Sequence, residues 1–532
     1  MTTSVLKNKW FIFSVVGILL VLNNWSLPLW DQDEAAYAGF AKTMNETNDY
    51  LVPQYYFSEP HRKTPLHFWD IALSFKIFGE NEFAVRFPSF LAILGTFLLM
   101  YFRGRKLLGE QKALNSLWII SSSILVISLA KVSVTDATLL FFTTLSAFGI
   151  IQTLQEPSNK WIFLFWFGFA MGLLTKGPPI IVFSGIFVAL LFVFHPNRKN
   201  LFKLKPWFFL PLALLPLFLW CYAIYLRGEV DFLKWLFDWY ILKRIGGSVY
   251  GQEGIIGTHI LFIFIFSLFS TLFFFRAIKD SVRGFFMKDP TLIVVGSWFI
   301  AGWLFYEFSP SKLPTYVIAA YVPLAFLMGN YSAELENNKA RPHKAVLFIH
   351  YVLQVIFGIG LIISYKFLNI HTELAVALII IGIVWLVNLM NQLIQLQKPY
   401  YLRYVMFSNT LLLIALWSIA PLFTQHINSS QKVSKYVLEH TQPSSAIIIG
   451  YAPGSQPSLP FYLSANNNKI IVQENTDSLL LQVAQLENFA LIISKEQQQL
   501  FQEIHPEWDF VSVRSRLIDR KEEAEYLVTI VN

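Results

Sequence analysis

The run Asp31-Gln32-Asp33-Glu34 follows directly on the first hydrophobic segment of the chain. Three carboxylates at the mouth of a membrane helix are costly unless they face water, a cation or a substrate. A positioned carboxylate can also take a proton from a reacting group, as a general base does. We therefore expect chemistry at the outer surface of a membrane, with this run close to the site.

Cationic side chains recur where the apolar segments begin and end. Lysine and arginine form strong charge-assisted hydrogen bonds with phosphate groups. The candidates for such a role are Lys63, Lys176, Lys312 and Arg244. The alternative interpretation of Lys176 and Lys312 is that they snorkel to lipid headgroups. Asp136 opens another apolar segment, where it is either part of the site or a helix cap.

A metal site is only weakly indicated. The candidate ligands are Glu59, His61, His67 and His259. Their spacing matches no metal-binding motif, and histidines in such loops are more often interfacial residues than ligands. A divalent metal cofactor therefore stays open at this point, and no other cofactor is indicated.

The composition is that of an integral membrane protein. Of 532 residues, 55% are hydrophobic and 14% are charged, with a mean hydropathy of +0.50, whereas soluble domains carry about 25% charged residues. The single cysteine, Cys221, excludes an intrachain disulfide. The net charge of +7 needs no nucleic acid to explain it, because the basic residues lie where membrane topology places them.

Windows of about 20 apolar residues predict the membrane spans. We find about thirteen, near 10–29, 83–102, 113–130, 134–154, 161–175, 177–194, 207–226, 256–275, 291–308, 313–331, 344–365, 372–396 and 404–424. The first of them has no small-residue cleavage site after it, so we expect it to stay as an anchor.

The basic residues of the short loops predict the orientation. They place the N-terminus in the cytoplasm. Two long polar loops then lie outside, at about 30–82 and 227–255, the first with an amphipathic interfacial stretch at 71–79. Residues 1–424 form the membrane domain.

The composition changes beyond about residue 425. Residues 445–450 and 490–494 are short apolar runs typical of buried strands, and 478–487 have helical spacing of leucine and valine. Residues 425–532 therefore predict a small α/β domain on the periplasmic side. The predicted fold class is an all-α polytopic membrane protein with this domain appended.

Short motifs occur in order along the first 330 residues. They are Asp33-Glu34-x-x-Tyr37-Ala38, Lys63-x-Pro65-Leu66-x-x-Trp69, Phe78-Gly79-x-Asn81-Glu82-Phe83-x-x-Arg86-x-Pro88-Ser89, Thr135-Asp136-Ala137, Thr175-Lys176-Gly177-Pro178 and Ser311-Lys312-Leu313-Pro314-Thr315-Tyr316. In this order and on one membrane face they resemble the bacterial polyprenyl-phosphate-dependent glycosyltransferases of the GT-C fold. That group includes the aminoarabinose (lipid A) transferases and relatives of the protein O-mannosyltransferases.

The resemblance implies transfer of a sugar from a lipid phosphate, such as undecaprenyl phosphate, to an acceptor outside the cytoplasm. The acceptor stays open between lipid A or lipopolysaccharide, another glycan and protein. Asp33 matches the catalytic aspartate of these enzymes, Asp136 a second acid of the same cavity, and Lys63 a loop lysine. With Glu34, these two acids are the candidate catalytic residues. The candidate donor-binding residues are Lys63, Lys176, Lys312, Arg244, Tyr37 and Arg62.

The chain departs from the pattern at two positions. The arginine that usually precedes the motif tyrosine is absent, since Ala36 stands before Tyr37. The second departure bears on the chemistry. The aminoarabinose transferases carry Glu-Lys-Pro where this chain reads Arg62-Lys63-Thr64-Pro65. In that branch the glutamate can serve as a metal ligand. Its replacement by Arg62 puts a bound metal and the aminoarabinose donor in doubt.

Two other classes of function remain alternatives. A flippase for lipid-linked sugars would use a similar cavity, but transporters tend to place ionisable residues at the bilayer midplane and to contain repeats. Here the acids cluster at one surface and no repeat is visible. An O-antigen-type polymerase or ligase is the other alternative, and it is not expected to carry the opening Asp33-Glu34-x-x-Tyr37-Ala38 motif.

Overall fold

The computed structural model describes residues 3–31, 33–56, 58–243, 253–367, 372–398, 400–427, 429–442, 445–450, 456–464, 468–473, 475–514 and 525–531. Helices dominate the membrane part. They are Thr3–Lys7, Lys9–Val21, Asp33–Thr47, Leu66–Phe78, Glu82–Leu108, Glu110–Ser121, Ile124–Leu129, Thr135–Gln155, Asn159–Lys176, Pro178–Phe194, Pro206–Leu226, Val230–Phe237, Thr258–Phe266, Thr271–Met287, Pro290–Glu307, Tyr321–Asn337, Lys344–Phe367, Thr372–Ile394 and Tyr401–Ile427. Each predicted apolar window contains helix, which confirms the all-α polytopic class.

The spans differ from the prediction in their regularity. Within the described ranges, eight helices are long and apolar enough to cross a membrane. A ninth span would combine Thr258–Phe266 with Leu268–Met287, which are bent by 75° relative to each other. Lys9–Val21 and Pro178–Phe194 are shorter apolar helices, and the window 113–130 is broken at Ser122 and Ser123. Composition reports apolar length but not these bends, so the count of thirteen stays a prediction.

The first outer loop folds into two helices that pack against each other. Leu66–Phe78 contains most of the predicted interfacial stretch and ends at Gly79, whose φ of 77° suits a residue without a side chain. Asp33–Thr47 is rich in alanine and has Gly39 on the face towards Tyr55. A Cβ atom on Gly39 would lie 2.1 Å from the Tyr55 ring, so only glycine allows this close approach.

A tight hairpin joins the helices Thr135–Gln155 and Asn159–Lys176. A Cβ atom on Gly149 would lie 2.7 Å from the Cβ atom of Phe165, so the glycine lets the two helices approach closely. Because the connection is short, the helices run antiparallel. The start of the first helix, with Asp136, therefore meets the end of the second, with Lys176.

The C-terminal residues form a five-stranded mixed sheet with flanking helices. The strands are β1 Ala446–Ile449, β2 Lys469–Val472, β3 Phe489–Ile493, β4 Val511–Arg514 and β5 Glu525–Val531, in the order β2-β1-β3-β5-β4. The helices are Ser429–His440, Ser458–Leu463, Thr476–Val483 and Lys495–Ile504. β1 is parallel to β2 and β3, whereas β5 is antiparallel to β3 and β4. The α/β class is confirmed, and the boundary near residue 425 stays a prediction.

Candidate active site

Asp33 lies in the first turn of the Asp33–Thr47 helix and faces cationic groups from the following loop. Its Oδ1 atom is 2.9 Å from His61 Nδ1 and 3.4 Å from Lys63 Nζ. Lys63 also donates to the hydroxyl of Tyr37, one helical turn after Asp33. The loop thus folds back so that Lys63 joins two residues of the same helix face.

A second ion pair comes from the hairpin. Lys176 Nζ donates to Asp136 Oδ1 over 2.7 Å. Lys176 is the last residue of its helix, and Gly177 follows with a φ of 74°. The Nζ atom of Lys176 lies 5.8 Å from the ring of Tyr316. Asp136 also stands in the first turn of its helix, where a carboxylate is favourable to the helix dipole. The helix-cap interpretation and the site interpretation are therefore compatible.

The two pairs interact with each other. Lys176 acts electrostatically on Asp33, and Asp136 acts on Lys63. The side chain of Asp33 is 46% exposed, although protein atoms surround it on most sides. We call Asp33, Tyr37, His61, Lys63, Asp136 and Lys176 the outer centre.

Electrostatics keep Asp33 ionised. Burial raises its pKa, but the charges of Lys63 and Lys176 and the hydrogen bond from His61 together lower it below the usual value. For Lys63, burial lowers the pKa and the neighbouring Lys176 lowers it further, against the opposing effect of Asp33. An added anion such as phosphate would favour the charged form of Lys63.

His67 packs against the outer centre through the ring of Tyr37. Its two ring nitrogens are hydrogen-bonded to the hydroxyls of Thr138 (3.2 Å) and Ser133 (3.0 Å), and its ring packs on that of Tyr37. Burial, aided by the charge of Lys63, lowers the pKa of His67 to about 3. His67 is therefore neutral, with both nitrogens engaged.

The predicted metal candidates do not converge. Glu59 lies 3.6 Å from Arg62, and His61 pairs with Asp33. His259 is fully buried at the start of the helix Thr258–Phe266. Throughout the described part of the chain, no group of three or more histidine, cysteine, aspartate and glutamate side chains is placed to hold a metal ion. The residues present there do not fit such a site.

Glu34 lies in a different environment from Asp33. It is fully buried, and both of its oxygens accept hydrogen bonds from Arg86, over 2.8 and 3.0 Å. The backbone N–H groups of Ser133 and Trp30 also donate to it. We call Glu34 and Arg86 the buried pair. Its oxygens are already engaged within the scaffold, which gives no support to the predicted catalytic role of Glu34.

Two of the predicted donor-binding cations are engaged in the scaffold. Lys312, 3% exposed, donates to the carbonyl oxygen of Glu307 over 2.6 Å and so caps the helix Pro290–Glu307. Arg62 lies 5.8 Å from the ring of Phe232, which links the two outer loops. Arg244 lies outside the described residues.

Sequence reasoning missed several neighbours of the outer centre. His61 was considered only as a metal ligand, and Tyr316 appeared in a motif without a role. Ser133 and Thr138, which hold His67, carry no motif at all. Their contacts join segments about 70 residues apart, and no local pattern indicates such pairs.

Comparisons with known proteins show which proteins the chain is similar to. The family described as dolichyl-phosphate-mannose-protein mannosyltransferase matches residues 62–224. An undecaprenyl phosphate-α-4-amino-4-deoxy-L-arabinose arabinosyl transferase of Proteus mirabilis is 25% identical over 66% of this chain and 64% of its own length. A second such transferase, from Pseudomonas fluorescens, is 24% identical over 83% of this chain and 81% of its own.

The fold comparison covers nearly the whole chain. ArnT from Cupriavidus metallidurans, in a crystal structure bound to undecaprenyl phosphate, superposes with a TM-score of 0.76. The superposition includes 98% of this chain and 97% of ArnT at 16% identity. The chain shares the fold of ArnT and is similar in sequence to these transferases. Its apolar helices make it a multi-pass membrane protein.

Proposed function

We propose that this protein is a glycosyltransferase that moves a sugar from a polyprenyl phosphate, such as undecaprenyl phosphate, to an acceptor outside the cytoplasm of a bacterium. The observation that carries the proposal is the outer centre, in which the carboxylate of Asp33 lies beside Lys63 and within the field of Lys176. A general base and cationic groups for a phosphate leaving group are the two requirements of this reaction.

Asp33 is the general base of the proposed reaction. The acceptor hydroxyl attacks the anomeric carbon, its proton passes to Asp33, and the bond from that carbon to the phosphate oxygen breaks. The phosphate diester becomes a monoester and gains one negative charge while Asp33 loses one. The total charge of the outer centre therefore stays constant. Attack from the face opposite the phosphate inverts the anomeric carbon, as the family resemblance implies.

Lys63 couples donor binding to the basicity of Asp33. In the free enzyme it lies 3.4 Å from Asp33 Oδ1 and helps to lower the pKa of that carboxyl. A donor phosphate attracts the ammonium group towards itself, which weakens its effect on Asp33. Asp33 then becomes a stronger base when the donor is bound. Lys176, oriented by Asp136, is the second cation of the phosphate site.

The proposed orientation places the outer centre and both long loops on the periplasmic side of the inner membrane. The basic residues of the short loops support it, with the N-terminus in the cytoplasm. The acceptor remains a choice between lipid A or lipopolysaccharide, another glycan and protein.

A transfer assay in nanodiscs tests the proposal. The purified protein is incubated with a panel of radiolabelled undecaprenyl-phosphate sugars and a bacterial membrane extract, beside Asp33→Asn. We expect transfer by the wild type and a loss of about 10³-fold in the variant, with undecaprenyl phosphate binding retained. Asp231→Asn, whose side chain is 97% exposed on the second outer loop, is the matched control and should transfer at the wild-type rate.

Two results would contradict the proposal. Equal transfer by Asp33→Asn and wild type would remove Asp33 from the mechanism. The second result is obtained with the wild type reconstituted in lipid vesicles. If it moves the labelled lipid across the bilayer but transfers sugar from no donor of the panel, the flippase is favoured.

A further inference from the structure

A short helix of the C-terminal domain, Ser458–Leu463, packs on the loop that carries Asp33. The hydroxyl of Tyr462 accepts a hydrogen bond from the backbone N–H of Leu29 over 2.7 Å. The same hydroxyl donates to Glu82 Oε1 over 3.1 Å. One side chain of the C-terminal domain is therefore hydrogen-bonded both to the segment before Asp33 and to the start of the helix Glu82–Leu108.

A second polar contact lies closer to the outer centre. Oδ1 of Asp31 accepts a hydrogen bond from the backbone N–H of Ser458 over 3.0 Å. Tyr55, almost fully buried, donates through its hydroxyl to the carbonyl oxygen of Pro457 over 3.3 Å. Asp31 is two residues before Asp33, so this contact fixes the chain directly ahead of the carboxylate.

Apolar contacts provide the attachment itself. Phe461 is 7% exposed and belongs to the apolar cluster of the first outer loop. Its ring is stacked on that of Phe75 at 6.2 Å. Tyr37, which holds Lys63, and Phe68 belong to the same cluster. The C-terminal domain thus contributes a side chain to the core under the outer centre.

We propose that Asp31 and Tyr462 are positioning residues, through which the C-terminal domain sets the place of Asp33. Asp33 stands between two fixed points. Leu29 and Asp31 are bonded to the C-terminal domain, and Glu34 is bonded to Arg86 in the membrane part. The inference rests on the proposed function, because it requires that Asp33 act on the substrate.

The position of these bonds distinguishes positioning from simple attachment. Phe461 packs in the apolar cluster of the loop and attaches the domain to it, whereas the two polar contacts act on Leu29 and Asp31, which precede Asp33. Displacement of a catalytic group by about 1 Å can cost about 10²-fold in rate. Loss of either contact should therefore reduce turnover while the donor still binds at Lys63 and Lys176.

The test measures kcat, donor affinity and melting temperature of the full-length protein in nanodiscs. Undecaprenyl phosphate is the binding probe, and the donor is the undecaprenyl-phosphate sugar that the wild type uses. We expect kcat to fall about tenfold in Asp31→Ala and Tyr462→Phe, with the affinity for undecaprenyl phosphate within about twofold of wild type. Asp31→Asn should restore kcat, because its amide oxygen can still accept the bond from Ser458.

Matched controls within the same domain are Asp477→Ala, an exposed first-turn residue, and Tyr436→Phe, whose ring packs in the sheet core. Both should keep the wild-type kcat. Wild-type turnover in Asp31→Ala and Tyr462→Phe would overturn the inference. So would turnover in Asp31→Asn as low as in Asp31→Ala, or a parallel loss of turnover, probe affinity and melting temperature. A wild type that transfers no sugar would instead overturn the proposed function.

Discussion

The outer centre and the buried pair begin at adjacent residues and differ in almost every physical respect. Asp33 is 46% exposed, and its nearest cation, Lys63, is 3.4 Å away. Glu34 is fully buried and accepts hydrogen bonds from Arg86 and from two backbone N–H groups. Both are carboxylates paired with a cation, yet only Asp33 is exposed.

The difference shows what a carboxylate needs for chemistry. Every strong acceptor site of Glu34 is filled by a rigid donor, so a substrate would have to displace Arg86 or the backbone. Asp33 is held by side chains of a loop, which a substrate phosphate can draw away. An ion pair that a substrate can reach, and whose hydrogen-bonding capacity is not filled, can take part in a reaction. A fully hydrogen-bonded pair can only stabilise the fold.

The largest expected effect concerns the buried pair. Arg86→Met removes the cationic partner of the buried Glu34 carboxyl, and breaking such a pair costs about 3–5 kcal/mol. We expect a large fall in the melting temperature of the protein in nanodiscs. Arg227→Met is the matched control, since Arg227 is 40% exposed in its pair with Asp49. It should leave the melting temperature close to the wild-type value, because water screens an exposed pair. Equal shifts in the two variants would contradict the assignment of Glu34 and Arg86 to the scaffold.

The outer centre should respond in binding and turnover rather than in stability. Lys63→Met removes a charge-assisted contact to phosphate worth about 1.5–3 kcal/mol. We therefore expect affinity for undecaprenyl phosphate to fall about 10- to 100-fold, as measured by titration in nanodiscs. The melting temperature should stay close to the wild-type value. Unchanged affinity would exclude Lys63 from the phosphate site.

Two lysines of the predicted donor set sharpen the comparison. Lys176 reaches Asp136 in the outer centre, whereas Lys312 caps a helix and is 3% exposed. Lys176→Met should weaken undecaprenyl phosphate binding about tenfold. Lys312→Met should leave binding within about twofold of wild type and lower the melting temperature. The reverse pattern would indicate that Lys312, and not Lys176, binds the phosphate.

The fold could be predicted from the sequence to a large extent. Apolar windows located the membrane helices, and short apolar runs located strands β1 and β3, because both signals are local. The topology and the motifs placed Asp33, Lys63, Asp136 and Lys176 at one membrane surface, but they did not predict which acid pairs with which lysine. The number of continuous spans did not follow, because bends such as that at Ser267 leave hydropathy unchanged.

The roles of adjacent residues could not be predicted in the same way. Successive helix residues point about 100° apart, so Asp33 and Glu34 face different neighbours although both belong to one motif. The partner of Glu34 is 52 residues away in the chain. The capping of a helix by Lys312 likewise depends on the exact end of that helix. Such contacts are decided by tertiary packing, which motif and composition do not report.

The smallest expected effect concerns Asp31, the third carboxylate of the same run. Burial raises its pKa, against the lowering effect of the hydrogen bond from Ser458. A raised pKa in the folded state gives stability that is fully present below the unfolded value of 3.8 and is lost as the pH rises through the folded value. Asp31→Asn has no such dependence.

We therefore expect the melting temperature of Asp31→Asn to equal or exceed that of the wild type at pH 7. The difference should shrink as the pH falls from 7 towards 4, as measured by thermal scans across this range. A difference that grows towards acid pH would contradict the burial of Asp31 against the C-terminal domain.

The most direct test of the comparison is one side-by-side measurement of Asp33→Asn and Glu34→Gln, recording sugar transfer per folded molecule together with the melting temperature. We expect Asp33→Asn to melt like the wild type and to lose transfer about 10³-fold. Glu34→Gln should melt at a markedly lower temperature, while its folded fraction retains most of the wild-type transfer rate. A folded Glu34→Gln that transfers no sugar, beside an active Asp33→Asn, would reverse the two assignments and contradict the account.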